Sequence, residues 1–151
     1  LKLKYYGKPR VYLTTPLMRC VFGVEKSFKN FEIKLAFHDI DNDKTIKQFY
    51  DTIKTCEYMQ MAKIGLKANE SNKYISQIRQ DKDKKYDPYL VVKLPFRYNK
   101  FDIDVVYKDS SDLGIMDITG GMMMRCNIYI DTIQKFNGKY ICKWKCSFIQ
   151  I

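Results

Sequence analysis

Apolar and polar residues alternate with a period of two along most of this chain, and the spacing changes once, to that of an amphipathic helix. The alternation is cleanest over residues 30–38. There Phe31, Ile33, Leu35 and Phe37 share one face and Glu32, Lys34, Ala36 and His38 the other, the pattern of a half-buried strand. From Asp43 the apolar residues fall instead at Ile46, Phe49, Tyr50, Ile53 and Cys56, which predicts a helix. Asp41, Asn42 and Asp43 supply N-caps and negative charge for its start, and Lys63 and Gly65 supply its stop. Ahead of it, short strands are predicted over 10–14 and 17–24, divided by Pro16, with Gly23 breaking the second. Behind it come a weaker helix around 72–80, a solvated charge run over 81–85, and a strand over 89–94 closed by Pro95. A further strand over 101–107 sets Phe101, Ile103, Val105 and Tyr107 on one face, and a polar connection follows over 109–121. Residues 1–7 read as an edge strand or an arm, in which Tyr5 and Tyr6 accompany Lys2 and Lys4.

The chain is organised around its last stretch, residues 120–151, which reads as long strands joined at Asn137-Gly138, a dipeptide suited to a type I′ hairpin turn. On the first arm Met122, Met124, Cys126, Ile128 and Ile130 share a face, opposite Met123, Arg125, Asn127, Tyr129 and Asp131. On the second, Tyr140, Cys142, Trp144, Cys146 and Phe148 point one way and Lys139, Ile141, Lys143, Lys145 and Ser147 the other. A two-residue turn pairs Phe136 with Lys139 and hence Tyr129 with Cys146, which would set the Trp144 face beside the polar face of the first arm. Either a β-bulge shifts the pairing by one, or both faces are partly buried, as in a small barrel. Arms of this length suit a closed barrel of long, bent strands.

Strands, one main helix after the third of them, then more strands: this is the plan of an oligonucleotide-binding (OB) fold. Residues 1–151 are therefore expected to form a single, mainly β, OB-fold domain. The chain starts at Leu1 and ends inside strand-like sequence at Ile151, so it is expected to be the core of a longer protein. No apolar run approaches the roughly 18 residues of a membrane span, and no membrane partner is expected. The net charge of +10 and pI near 9.3 point to an anionic partner such as nucleic acid or an anionic membrane surface. Codon bias explains the same charge equally well, since Lys outnumbers Arg 22 to 5 and Ile, Asn and Tyr are abundant.

Candidate chemistry narrows the choice. The 5 cysteines form no CxxC pair and His38 is the only histidine, so no metal or other cofactor is expected and the thiols read as reduced and mostly buried. The acidic run from Asp39 to Asp43 fails the calcium-loop pattern, with Lys44 where Gly and Tyr50 where Glu would stand, and reads as helix capping. No Gly-rich phosphate loop and no Ser-His-Asp or Cys-His set can be assembled, so no enzyme is expected. Sequence-tolerant binding of a single strand needs cations along the phosphate track and aromatic faces for stacking. Phe96-Arg97-Tyr98-Asn99-Lys100 offers both in a predicted turn, and Lys93 leads into it. In Lys143-Trp144-Lys145 either Trp144 stacks on a base, or the lysines reach phosphate while Trp144 packs with Tyr140, Cys142, Cys146 and Phe148. Arg125 and Tyr129, on the polar face of the first arm, complete the candidate set.

In its order of elements and general texture the chain resembles the single-stranded DNA-binding proteins of large nucleocytoplasmic DNA viruses, the African swine fever virus group above all. Those in turn look like the bacteriophage T7-type single-stranded DNA-binding proteins. The resemblance implies an OB fold and sequence-tolerant binding of single strands, DNA in the first place, and the sequence leaves the choice between DNA and RNA open. It implies work in viral replication, recombination or repair, in host cytoplasm or nucleus. Replication proteins would be recruited through terminal tails, and the acidic tail of the phage members is not in this sequence, which ends Phe148-Ile149-Gln150-Ile151. The alternative reading is a viral structural or protein-interaction module whose basicity is compositional. A metal-dependent nuclease stands third.

Overall fold

The computed structural model describes residues 2–4, 11–28, 30–109, 112–130 and 132–151, and the period-two segments pair in it into a closed barrel. The first barrel strand is made of two pieces, Val11–Thr14 and Met18–Cys20, both antiparallel to the fourth strand, Met123–Ile130. Pro16 lies in the kink between them, and Thr15 carries the ladder across it. Its N–H donates to the Cys126 carbonyl at 2.8 Å, and its hydroxyl accepts the Cys126 N–H at 2.9 Å. Met18–Cys20 also pairs with the second barrel strand, Asn30–Ala36, which pairs in turn with the third, Tyr89–Leu94. The third runs parallel to the fifth, Trp144–Gln150, and the fifth closes the circuit antiparallel to the fourth. This five-stranded circuit is the expected OB barrel. The helix follows the third predicted strand. Because the first two predicted strands are pieces of one barrel strand, it lies between the second and third strands of the barrel itself.

The alternation read from the sequence decides what is inside. Ile33, Leu35, Leu90, Val92, Leu94, Met124, Cys126, Ile128, Trp144, Cys146 and Ile149 are each at most 1% exposed. Cys20, Cys126, Cys142 and Cys146 are buried free thiols, and Cys56 is half-buried. The Cys146 thiol and burial together hold Cys126 well above the usual thiol range, which keeps it protonated and inert.

The conflict between the faces of the terminal hairpin is resolved by register. Asn137 and Gly138 both take positive φ, 51° and 75°, and Phe136 pairs with Lys139 as expected. The ladder then breaks, and beyond it Tyr129 pairs with Lys145 and Ile128 with Cys146, one residue off the hairpin's count. A bulge at Ser147 restores the original count, so that Asn127 pairs with Phe148. That one-residue offset turns the Trp144 face inward with Met124, Cys126 and Ile128. The outer part of the hairpin, Thr132–Phe136 with Lys139–Ile141, stands off the barrel as a separate sheet, flanked by Lys2–Lys4 and Tyr74–Ile75. Tyr5 and Tyr6 lie outside the described residues.

The helix spans Lys44–Ile64. The Asp43 carboxylate accepts the N–H groups of Thr45 and Ile46, and Gly65 ends the helix at φ 85°. Ile46, Phe49 and Ile53 face the core, and Phe37 packs its ring 6.0 Å from Phe49 and 5.2 Å from Tyr50.

Two expectations are corrected. The helix expected around 72–80 is a short 3-10 turn, Ala68–Lys73, followed by the strand pieces Tyr74–Ile75 and Ile78–Arg79. These take their backbone partners from distant segments, Lys139–Ile141 and the third barrel strand, and that pairing overrides a weak helical pattern. The strand expected over 101–107 is divided into Lys100–Phe101 and Asp104–Val106, the latter parallel to the fifth barrel strand.

Candidate nucleic-acid interface

Outward positions of the second and third barrel strands form the floor of a groove of about 170 Å³. Glu32, Val91 and Lys93 line it from those strands, Arg79 and Gln77 from the preceding segment, and Ile141 and Lys143 from the hairpin between the fourth and fifth strands. Strand pairing places Glu32 opposite Lys93 and Lys93 opposite Lys145, so a band of charge runs across the barrel wall at one level. The groove wall at residues 74–79 is anchored from below by the helix. Glu57, 2% exposed, accepts the Ser76 hydroxyl at 2.6 Å and the Gln77 N–H at 3.0 Å. The Tyr74 hydroxyl donates to the Gln60 side chain. Buried polar groups with every partner in place fix that wall in one position.

At the end of the groove marked by Asn30 and Phe31 stand neighbouring hairpins. The first joins Glu25–Ser27 to the second barrel strand, and the Ser27–Asn30 pair puts Phe28 at its tip. The other joins Phe96–Arg97 to Lys100–Phe101, with Tyr98 and Asn99 at its tip. Their bases share an aromatic cluster: the Phe31 ring lies 4.9 Å from Phe96 and 4.8 Å from Phe101, with Phe96 and Phe101 4.9 Å apart. The Lys26 ammonium sits 5.5 Å above the Phe31 ring. The tips themselves bury almost nothing. Phe28 is 95% exposed and Tyr98 90%, and both hold left-handed backbone, at φ 55° and 54°. For an aromatic L-residue that conformation costs about 1 kcal/mol, which Gly or Asn would largely avoid. Neither ring recovers that cost by packing.

The structure brings part of the predicted set together. Lys93 and Lys143 line the groove, Lys145 flanks it one strand over, and Arg97, Tyr98 and Lys100 crown the hairpin at its end. Trp144 is removed from the set: at 1% exposure it is core, and no base can reach its face. Tyr129 is also removed, being 8% exposed under Tyr12, whose ring centre is 5.7 Å away. Tyr12 and Tyr129 instead line a separate cleft with Asp102 and Asp104, a carboxylate pair that repels phosphate. Arg125 is exposed but pairs with Gln150 at the far end of the fourth and fifth strands, away from the groove.

Sequence reasoning missed Lys26, Phe28, Glu32 and Arg79. Ser27-Phe28-Lys29-Asn30 carries the same signal as Arg97-Tyr98-Asn99-Lys100, an aromatic among polar residues at a turn. It is hidden because the strand predicted on its N-terminal side stops at Val24, short of the observed Glu25–Ser27. Arg79 is hidden by the helical reading of its segment. The acidic run near His38 does what capping chemistry requires: Asp39 accepts the Asn42 side-chain amide at 2.9 Å, and Asp43 caps the helix.

No family model and no curated protein matches this chain. Among solved structures it is similar to the single-stranded DNA-binding protein from bacteriophage Enc34, at 14% identity over 92% of this chain and 79% of that one, with a TM-score of 0.63. The same phage protein in complex with single-stranded DNA gives 13% identity, 92% and 84% coverage, and a TM-score of 0.61. The single-stranded DNA-binding protein encoded by bacteriophage T7 gives 12% identity, 95% and 86% coverage, and a TM-score of 0.57. At these identities the likeness is one of fold, and it lies with the phage proteins. The closer tie to large DNA viruses rests on the sequence resemblance alone. The chain thus has an OB barrel with one main helix among the described residues, and its fold is similar to that of phage single-stranded DNA-binding proteins.

Proposed function

We propose that this chain binds single-stranded DNA with little regard to sequence, laying the strand along the groove of Lys93, Lys143 and Arg79 and over the hairpin tips at Phe28 and Tyr98. The observation that carries the reading is the pair of strained, almost fully exposed aromatics beside a basic groove. A single strand offers what these elements need: phosphates for the cations and unpaired bases whose faces stack on the rings. A duplex hides those faces, so the tips select single strands. Likeness of fold to proteins that bind single-stranded DNA supports the same reading. Protection of single strands during viral replication, recombination or repair is the role we attach to it, with RNA as the competing single-stranded ligand. The proposal is tested by titrating a labelled mixed-sequence oligonucleotide against a duplex of equal length and an RNA of the same sequence. Preference for the single strand over the duplex is expected. Equal affinity for both reduces the site to charge alone, and absence of binding favours an interaction module with compositional basicity.

A further inference from the structure

The groove has a carboxylate in its path, and that is not what a simple phosphate track requires. Glu32 lies among Lys93, Arg79 and Lys143, beside the apolar side chains of Val91 and Ile141. Its side chain is 37% exposed. Its ion pair with Lys34 is long, 3.9 Å, while the same ammonium is held at 3.0 Å by Glu25. Among the described residues the Glu32 carboxylate accepts no hydrogen bond, and Glu32 lines the groove, so acceptor capacity is left for a ligand there. A phosphate passing over it would be repelled, whereas the flanking cations draw the backbone to the sides. The part of a strand that faces Glu32 is then a base edge.

An ionised carboxylate only accepts hydrogen bonds. Cytosine and adenine present an exocyclic amino group on the edge that would meet it, and carboxylate to cytosine N4 is an established pairing. Thymine and uracil present a carbonyl oxygen at the corresponding place, which faces the carboxylate acceptor to acceptor. Resting on the groove as the single-strand site, we infer that Glu32 makes the protein discriminate among bases, favouring amino-bearing bases over thymine and uracil at this one position. The rest of the bound strand is read only by charge and stacking.

Oligo-dC and oligo-dT of equal length isolate the effect, because both are pyrimidines and stack similarly, in a mildly alkaline buffer that keeps cytosine unprotonated. A hydrogen bond to a charged acceptor predicts binding to oligo-dC about tenfold tighter than to oligo-dT. In E32Q the amide can rotate to donate to the thymine carbonyl, so the ratio should fall to about one, chiefly through a gain for oligo-dT. Glu32 faces outward, and thermal melting checks that the variant stays folded. Should it not, Glu32→Ala, which removes the acceptor, takes its place with the same fall in the ratio expected, and the wild-type ratio can overturn the inference by itself. A wild-type ratio near one, or in favour of oligo-dT, overturns the inference and leaves single-strand binding standing. A ratio that E32Q retains assigns the preference to another residue and also overturns it. Failure to bind oligo-dC, oligo-dT and a mixed sequence alike removes the inference together with the proposed function.

Discussion

Tyr98 and Trp144 are both aromatics with cations close by in sequence, yet one is exposed and the other buried. Tyr98 is 90% exposed at a left-handed turn position, so Tyr98→Asn should leave the melting temperature unchanged or raise it slightly. Affinity for a single strand should nevertheless fall roughly 5- to 150-fold, the equivalent of about 1–3 kcal/mol for one lost stacking contact. Trp144 is 1% exposed, and Trp144→Ala should cost about 3–5 kcal/mol of stability by opening a cavity. Urea melts and a binding titration on both variants check the pair. A stable, binding-deficient W144A alongside an unaffected Y98N would reverse the assignment. The exposure of Tyr98 was legible because an aromatic among polar residues at a turn has little core to join. The burial of Trp144 was one of two readings, because the mismatch of the hairpin faces signalled a one-residue shift without fixing its place. Glu32 reads in the sequence as an ordinary outward polar residue, and only the groove around it gives it meaning.

At the scale of elements, the second barrel strand, the helix and the Asn137-Gly138 turn follow from local pattern: a clean period of two, a cap at each end, and a dipeptide suited to positive φ. The segment Tyr74–Arg79 does not, since its conformation is set by partners far along the chain and by the buried carboxylate of Glu57. Glu57→Leu would leave the Ser76 hydroxyl and the Gln77 N–H without their acceptor, at about 1–3 kcal/mol for each donor left buried. It should also slacken the groove wall and weaken binding. Glu57→Gln, which keeps one acceptor oxygen, should cost less. Denaturant melts order the variants, and equal stability of all three would show that the network does not hold the wall. Close backbone approach adds a second constraint. A Cβ on Gly23 would meet the Ile118 carbonyl oxygen at 2.8 Å, and Gly23 has φ 76°, so Gly23→Ala should destabilise by about 1–3 kcal/mol in the same melts.

For the whole molecule, the net charge of +10 was the least informative quantity in the sequence, and its arrangement is what the fold supplies. Arg79, Lys93, Arg97, Lys100 and Lys143 lie along the groove and its crowning hairpin, whereas Arg125 lies elsewhere on the barrel. If about five phosphates meet those cations, log K for a mixed-sequence single strand should fall with log salt at a slope near −3.5, roughly −0.7 per contact. The measurement that tests the central claim most directly is that slope, taken on the wild type, Lys143→Ala and Arg125→Ala. The wild type should give about −3.5, Lys143→Ala a slope flatter by about 0.7, and Arg125→Ala the wild-type value. A wild-type slope near zero, or one flattened by Arg125→Ala and untouched by Lys143→Ala, would contradict the placement of the strand in this groove.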